Sequence, residues 1–243
     1  MRLRVSSRSP ACFATISVSF GLATLLATAV AGAAEPVPVP ARAPLPDPVL
    51  IDLGLHLGGA YRMGDAPAFP ITGRTGVAFG VSAYAEPSRR YAFGLAFEHA
   101  GLGSEQAKGD FGSAEITRDV NVLWGGLRVH FVNTEVVTIS VLLGPGLAWQ
   151  GVSANGLLTP GIGKLPTTFS CSAGDSVNLA LRAGLGARFA LGSGVSFLAD
   201  VSFDNLRLAS EVIGDCAVGA GTVSLIGARV GFGYQFDVSS YVR

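Results

Sequence analysis

A strict alternation of bulky apolar side chains with small or polar ones recurs along the chain after residue 48. The segment LIDLGLHL, residues 50–57, keeps leucine or isoleucine at every odd position and aspartate, glycine and histidine between them. Similar segments are YAFGLAF (91–97), VNLALRAGL (177–185) and RVGFGYQF (229–236). Successive side chains of a β-strand point to opposite faces, so a period of two predicts strands. Each predicted strand has one bulky apolar face and one small, polar face.

The links between these segments alternate in length. Eight strands are predicted, and short links follow the second, fourth and sixth at EPSRR (86–90), VNTE (132–135) and GSG (192–194). Longer links follow the odd-numbered strands, around residues 62–73, 101–113, 150–176 and 208–220. An even number of antiparallel strands with tight turns at one end and long loops at the other is typical of a transmembrane barrel.

Composition excludes membrane helices, and the width of an eight-stranded barrel decides which face of the strands is outside. The chain is 49% hydrophobic and only 14% charged, yet beyond its first 33 residues no stretch approaches the roughly 18–20 apolar residues that a membrane helix needs. An eight-stranded barrel has an interior just wide enough for side chains to fill, so the bulky rows must face outward. The predicted fold is all-β: a closed, up-and-down, eight-stranded antiparallel transmembrane β-barrel.

Ionisable residues of both signs fall on the predicted inward face. Ions taken out of water must be paired to offset their desolvation, so a balanced structural charge network is favoured over a gated proton or ion path. The predicted network consists of Asp52, His56, Glu86, Glu98, Arg128, Arg182, Arg188, Asp200 and Arg229.

One strand does not keep a single parity. Its bulky residues occupy even positions before the pair Gly125–Gly126 and odd positions after it: Val120, Val122 and Trp124, then Leu127, Val129 and Phe131. A β-bulge at Gly125–Gly126 would place both groups on the outward face.

The N-terminal region predicts export. Residues 1–33 have a basic start, an apolar run and the sequence Ala31-Gly32-Ala33 before a cleavage point, which predicts a signal peptide; the alternative is an uncleaved anchor helix. Residues 34–48 are Pro-rich and predict an extended periplasmic leader, with a PxxP ligand as the alternative. Residues 49–243 form the predicted barrel with four long outer loops.

Two cysteines fall in the predicted outer loops. Cys12 belongs to the signal peptide, whereas Cys171 and Cys216 lie in the third and fourth long links, which are neighbours at one end of a barrel. Disulfides persist in exported proteins, so a Cys171–Cys216 bridge is predicted, against two unpaired thiols as the alternative. These cysteines have no nearby histidine, and neither a metal site nor a cofactor is predicted.

The histidines do not indicate an active site. His56 is on the inward face, His99 has lipid-facing parity, and His130 adjoins a short link. Lipid-modifying barrels use a serine activated by histidine, but Gly58, Gly101 and Val132 stand two places after these histidines. A P-loop and a Gly-x-Ser-x-Gly elbow are also missing from the sequence, so a non-enzymatic protein is predicted.

The final strand carries a family resemblance. Arg229, Gly231, Tyr234 and Phe236 match the pattern polar-x-Gly-x-x-aromatic-x-aromatic. On this pattern and on its strand architecture, residues 49–236 resemble the bacterial outer-membrane β-barrel domain family of small OmpA/OmpX-like and opacity-like barrels. The resemblance implies that the outer-membrane assembly machinery reads this segment. The tail DVSSYVR after Phe236 departs from the family pattern, and a wall-anchoring role is not expected.

The sequence thus predicts a protein of the Gram-negative cell outer membrane. Its formal net charge of zero favours no nucleic-acid partner. The expected partners are outer-membrane lipid and lipopolysaccharide, the assembly machinery, and a surface ligand at the outer loops. The expected role is non-enzymatic, either structural support of membrane integrity or surface interaction. The alternatives are a narrow channel for small or hydrophobic solutes and, third, a lipid-modifying enzyme.

Overall fold

A computed structural model describes residues 48–63, 73–109, 112–159 and 165–239. The predicted signal peptide and almost all of the Pro-rich leader lie outside these residues, as does 64–72 of the first long link. In the described ranges, no helix has the length and apolar character to cross a membrane.

The described residues form eleven strands. In chain order they are β1 (Leu50–Met63), β2 (Thr75–Ser88), β3 (Tyr91–Gly109), β4 (Gly112–Asn133), β5 (Val137–Leu158), β6 (Thr167–Gly174), β7 (Asn178–Gly192), β8 (Val195–Arg207), β9 (Val212–Ile213), β10 (Ala217–Val218) and β11 (Thr222–Asp237).

Eight of these strands close a ring. The order is β4-β3-β2-β1-β11-β8-β7-β5, and β5 pairs back with β4. All eight pairings are antiparallel. The first and last strands meet along their whole length, from Leu50 opposite Asp237 to Met63 opposite Ser224. The predicted closed, up-and-down, eight-stranded barrel is confirmed.

The short links lie together at one end of the ring. Arg89–Arg90 joins β2 to β3, and residues 134–136 join β4 to β5. Between β7 and β8, Ser193 and Gly194 have φ of 52° and 80°. Two successive residues in the left-handed region give a turn whose twist matches the flanking strands.

The opposite, outer end contains more strand than predicted. β4 and β5 are 22 residues each, and β3 continues to Gly109, so the predicted loops 101–113 and 150–176 are largely paired backbone. β6 adds to the outer half of β5, and β9 pairs with β10 inside the fourth predicted loop. Beyond the lipid the outward face no longer needs apolar side chains, so the alternation fades although strand pairing continues.

The predicted bulge at Gly125–Gly126 is wrong. These two residues pair with Leu95 and Gly94 of β3 without a shift, and the shifts of β4 fall near its ends, at Gly101/Ser104 against β3 and at His130/Val132 against β5. The bulky residues before the glycines instead face the barrel interior: Val120, Val122 and Trp124 are 0%, 3% and 2% exposed.

These side chains belong to an apolar core inside the barrel. The expectation that the lumen holds only small and charged residues is therefore wrong towards the outer end. The bulky members fit because alanines face them, so large and small side chains alternate across the narrow interior. The core consists of Leu102, Val120, Val122, Trp124, Leu206, Leu208, Val223 and Leu225 with Ala60, Ala78, Ala96, Ala100, Ala148, Ala180 and Ala220.

Candidate functional site

The outside of the ring is an apolar belt. Leu55 of β1 and Phe232 of β11 are 65% and 61% exposed, and comparable leucine, valine and phenylalanine side chains project from all eight ring strands. A soluble protein rarely exposes a continuous apolar patch above a few hundred Å², whereas lipid solvates such a surface. A closed barrel also pairs its strands without a free edge, which the hydrocarbon layer requires. The belt is the lipid-facing surface of a membrane-spanning barrel.

Both limits of the belt are visible in the outward side chains. On β4 the outward residues between Phe131 and Leu123 are apolar. From Asn121 towards the outer end of the strand, at lower residue numbers, they are polar. Nine residues at roughly 3.3 Å each, tilted by about 40°, cross about 20 Å of membrane. Aromatic rings lie at the short-turn end, where the ring centroids of Phe189 and Phe197 are 6.3 Å apart, as are those of Tyr234 and Phe236.

Inside the belt, the inner part of the lumen holds a charge network. Arg128 donates to Asp52 at 2.7 Å, and the guanidinium of Arg188 lies 3.7 Å from the same carboxylate. Arg188 also pairs with Glu86, which accepts a second hydrogen bond from Gln235 at 2.9 Å.

A second group of ions adjoins the first towards the apolar core. Glu98 accepts hydrogen bonds from Arg182 and Arg229, each at 2.9 Å. Arg229 reaches Asp200 at 2.6 Å, and Arg182 reaches Asp204 at 2.7 Å. The structure thus places eight of the nine predicted network residues in ion pairs. The ninth, His56, has its Nε2 atom 3.8 Å from Glu98.

Asp204 was not predicted as part of the network. It takes the inward parity of β8, like Asp200, so the alternation itself was a signal that could have found it. With Asp204 the pairs contain five carboxylates and four guanidinium groups, which leaves the charges nearly balanced. Two guanidinium groups lie over aromatic rings. The Cζ atom of Arg128 is 3.7 Å from the ring centroid of Tyr84, and that of Arg182 is 4.1 Å from the ring centroid of Trp124.

A separate ion cluster at the outer end was missed. Glu105 lies 2.7 Å from Arg118 and 3.3 Å from Arg62, and all three side chains are buried. The sequence offered little signal, because Glu105 and Arg62 fall in predicted loops and Arg118 lies in the strand with irregular parity.

Residues 208–221, here called the outer cap, are fastened to the inward side chains of the outer strands. Gln150, which is 1% exposed, donates to the carbonyl of Ala209 at 3.0 Å and accepts the N–H of Ala220 at 2.9 Å. Arg118 donates twice to the carbonyl of Val218, at 2.8 and 3.0 Å. The predicted disulfide between Cys171 and Cys216 is present, with 5.7 Å between the Cα atoms.

Asp175 completes the attachment of the outer cap. Its carboxylate accepts the N–H groups of Ser176 at 2.6 Å and Ala209 at 3.2 Å and the side-chain amide of Gln150 at 3.3 Å. Partial burial raises the pKa of Asp175, but the hydrogen bonds to its charged form outweigh that effect and hold the pKa below its ordinary value.

The histidines were expected to be structural, and one of them contacts a serine. His130 Nδ1 lies 2.8 Å from Ser140 Oγ, and both side chains are buried. This contact joins residues of adjacent strands, so no motif in the sequence signals it. A hydroxyl beside an imidazole is part of a nucleophile–base arrangement, which also needs a third group to orient the imidazole. Among the described residues His130 Nε2 has no hydrogen-bond partner.

His99 lies outside the barrel, as its parity predicted. Its ring is 5.0 Å from that of Phe79, and its Nδ1 atom is 3.0 Å from Asn121 Oδ1. In the part of the chain that the structure describes, no three His, Cys, Asp or Glu side chains are placed to hold a metal ion.

The predicted assembly signal lies on the closing strand β11. Arg229 points into the charge network, Gly231 lies opposite His56 of β1, and Tyr234 and Phe236 point towards lipid. Its recognition by an assembly machinery stays a prediction.

The sequence matches no protein-family model and no curated protein. Among solved structures it is similar to Ail, the attachment invasion locus protein of Yersinia pestis, with 16% identity over 76% of this chain and 98% of that chain and a TM-score of 0.37. It is similar to a major outer membrane protein from Thermus thermophilus, with 14% identity, 76% and 99% coverage and a TM-score of 0.44. It is also similar to the outer membrane protease OmpT from Escherichia coli, with 10% identity, 79% and 97% coverage and a TM-score of 0.36. The paired ring and the apolar belt define this barrel independently of these similarities.

Proposed function

We propose that the protein is a non-enzymatic barrel of the bacterial outer membrane that presents a rigid outer sheet for interactions at the cell surface. The outer sheet consists of the parts of β3, β4 and β5 beyond the belt, residues 104–109, 112–121 and 149–158, together with β6. The observation that carries the proposal is the continuation of strand pairing far beyond the lipid. A tilted strand crosses the membrane with about 9–11 residues, whereas β4 and β5 have 22 each.

The outer sheet is braced from its inner side. Ile116, Val152 and Ala154 pack there against Ile213 and Ala217 of the outer cap, and the disulfide joins β6 to the same segment. The outward face is polar, and Thr117 and Ser153 share a hydrogen bond of 2.6 Å across β4 and β5. Such rigidity adds little to sealing a membrane, but it lowers the entropy cost of binding a partner.

The filled lumen supports a barrel without an axial pore. Ion pairs occupy its inner part, and the apolar core with the outer cap occupies its outer part. Purified protein in planar bilayers is therefore expected to give no discrete conductance steps, and regular steps would favour the narrow channel instead.

Placement in the outer membrane is part of the proposal. It is supported by the predicted signal peptide, by the disulfide and by the match of the last strand to the assembly signal. Lipid and lipopolysaccharide would surround the belt, and the assembly machinery would act on β11. Membrane fractionation with heat-modifiable gel mobility tests this placement, and recovery of folded protein in the soluble periplasm would contradict it.

A trimmed barrel separates surface interaction from membrane integrity. Replacing residues 104–117 by Asn-Gly joins β3 and β4 near the pair Gly101 and Asp119 and removes much of the outer sheet. In a deletion strain, the trimmed barrel should restore detergent resistance but not adhesion to immobilised glycans and matrix proteins. Full adhesion by the trimmed barrel would contradict the surface role of the outer sheet and favour a role in membrane integrity.

The non-enzymatic part of the proposal has its own test. Ser140 Oγ lies 2.8 Å from His130 Nδ1, so Ser140→Ala is the informative variant. Lipid A from cells that express wild type, Ser140→Ala or no barrel should have the same mass, and fluorogenic peptides should remain uncut. A product that depends on Ser140 would establish an enzyme.

A further inference from the structure

Four arginines of the charge network surround a small cavity in the middle of the lumen. Its volume is about 70 Å³, which is ample for a small ion, because roughly 10–15 Å³ already accommodates a water molecule. Arg128, Arg182, Arg188 and Arg229 line the cavity, and among the described residues Asp200 is the one carboxylate in the lining. Guanidinium groups therefore dominate the electrostatic potential inside the cavity, which favours a negatively charged ligand.

The side chains around the cavity also have hydrogen-bond donors that no other group uses. Four buried nitrogen atoms lack a partner in the part of the chain that the structure describes: His56 Nε2, Trp124 Nε1, Arg128 Nε and Arg229 Nε. All four residues line the cavity, and Trp124 and Arg229 are only 2% and 3% exposed. Indole and guanidinium N–H groups can only donate, and leaving them unpaired inside a protein is unfavourable. These donors favour a ligand that accepts hydrogen bonds from several directions.

We propose that this cavity binds one small monovalent anion of the size of chloride. The unused donors belong to β1, β4 and β11, so they surround the cavity from different parts of the ring. A halide accepts hydrogen bonds equally well from every direction. Asp200 is paired with Arg229 at 2.6 Å and leaves these donors unused. The inference goes beyond the proposed surface function, because the site lies in the lumen and does not depend on the outer sheet.

The anion reaches the site from the short-turn end of the barrel. A second cavity, of about 400 Å³, lies there between Glu86, Gln235 and the turn at residues 134–136. Arg188 lines both cavities, so one flexible side chain separates the site from the mouth of the lumen. Towards the outer end the apolar core, with Leu206 and Val223, closes the lumen. The site is therefore a dead end, which agrees with the expected absence of discrete conductance steps.

The charge balance of the lumen couples anion binding to a proton. The ion pairs contain five carboxylates and four guanidinium groups, so one negative charge is already in excess. His56 lines the cavity, and its Nε2 atom lies 3.8 Å from Glu98, the carboxylate that Arg182 and Arg229 share. A proton on His56 makes the positive and negative groups equal in number before the anion enters. The anion should therefore bind more tightly at about pH 6 than at about pH 9.

Trp124 is a natural reporter for the cavity. The protein has two tryptophans, and Trp149→Phe leaves Trp124 alone. The probe is sodium iodide, because iodide quenches indole fluorescence on contact and a tryptophan that is 2% exposed is shielded from collisions with bulk iodide. In detergent micelles at constant ionic strength, the Trp149→Phe protein should show saturable quenching that chloride reverses and gluconate does not. Half-maximal quenching should need less iodide at the lower pH.

A filled cavity tests the position of the anion. Gly186 lines the cavity, and the nearest atoms to an added Cβ would be those of the Leu142 side chain, at 3.5 Å or more. Gly186→Val therefore fits the strand, occupies the cavity and should abolish the saturable quenching. Gly59→Val is the matched control, because Gly59 has outward parity on β1 and a Cβ there would meet nothing closer than 3.7 Å. The control should be quenched like the parent.

Diffraction locates the anion directly. Crystals of the wild-type protein soaked in sodium bromide should show an anomalous peak between Trp124, Arg128 and Arg229, and crystals of Gly186→Val should show none there. Water alone in the cavity, quenching that does not saturate, or equal quenching in folded Gly186→Val would each overturn the site. Heat-modifiable mobility shows that each variant has folded. Adhesion is measured separately, so failure of the anion site leaves the proposed surface function standing, and failure of that function leaves the anion site standing.

Discussion

Arg182 and Glu98, 84 positions apart in the chain, are joined across the lumen by a hydrogen bond of 2.9 Å. Arg182 also holds Asp204 of the neighbouring strand at 2.7 Å and lies against the ring of Trp124. It therefore links strands on opposite sides of the ring at the boundary between the ion pairs and the apolar core.

Replacing Arg182 tests how much this link contributes to the free energy of unfolding. Arg182→Met removes one partner of a buried pair and leaves two carboxylates without it, which costs about 3–5 kcal/mol. Urea titration followed by gel mobility should show the corresponding loss in the free energy of unfolding. Arg207→Met, on an outward-facing and exposed arginine of β8, is the control and should leave the midpoint almost unchanged. Equal midpoints for both variants would show that the network contributes no stability.

Removing the disulfide should loosen the outer cap and leave the ring intact. Cys171→Ser with Cys216→Ser frees the cap from β6, whereas none of the eight ring pairings involves either cysteine. We expect proteinase K to cut within 208–221 in the double variant, and the barrel to keep its heat-modifiable mobility. Mass spectrometry of the fragments identifies the cut. A cap as resistant as in the oxidised wild type would mean that its hydrogen bonds to Gln150, Arg118 and Asp175 and its apolar packing hold it without the disulfide.

The attachment of the outer cap should depend on pH through Asp175. The folded pKa of this carboxyl lies below its ordinary value, so its contribution is complete above the unfolded pKa of about 3.9 and is lost as pH falls through the folded pKa. Amide hydrogen exchange of Ala209, measured from neutral to acidic pH, should show protection that fails below that range. In Asp175→Asn the protection should be weaker at neutral pH, and the difference from wild type should vanish in acid. A constant difference at every pH would sink this assignment.

The assembly signal can be separated from general apolarity. Phe236→Ser alters the matched pattern, whereas Phe232→Ser removes a more exposed ring from the same strand at a position outside it. Phe236→Ser should lower the fraction of folded, heat-modifiable barrel in membranes at constant synthesis, and Phe232→Ser should lower it less. Pulse-labelling with fractionation measures both. Equal defects would show that the belt, and not the pattern, determines assembly.

Local sequence was sufficient wherever lipid imposed the alternation. Leu53, Leu55 and Leu57 face outward as their parity predicts, because apolar side chains are stable there only against hydrocarbon. Each predicted network residue on these regular strands also has the inward position that its parity indicates. The alternation along one strand does not predict which inward side chains form ion pairs. Glu98 pairs with Arg182 and Arg229 because the ring brings β3, β7 and β11 around one narrow lumen.

The prediction was wrong where a strand does not simply place an apolar face against lipid and a polar face in the lumen. Val120, Val122 and Trp124 were assigned to lipid because they are bulky, but the alanines opposite them leave room inside. Glu105 and Arg118 were missed because the outer strands lack an apolar face to mark them. Similarly, His130 and Ser140 meet through the pairing of β4 with β5, which no spacing in the chain encodes.

The sequence by itself determined the eight strands of the ring, its closure, most of the lipid-facing rows and the cysteines available for a bridge, because each follows from period-two patterning or from export. Only the tertiary structure decided how the lumen is filled and how the outer cap is fastened. These features depend on contacts between strands distant in the chain, where the sizes and charges of facing side chains decide the packing.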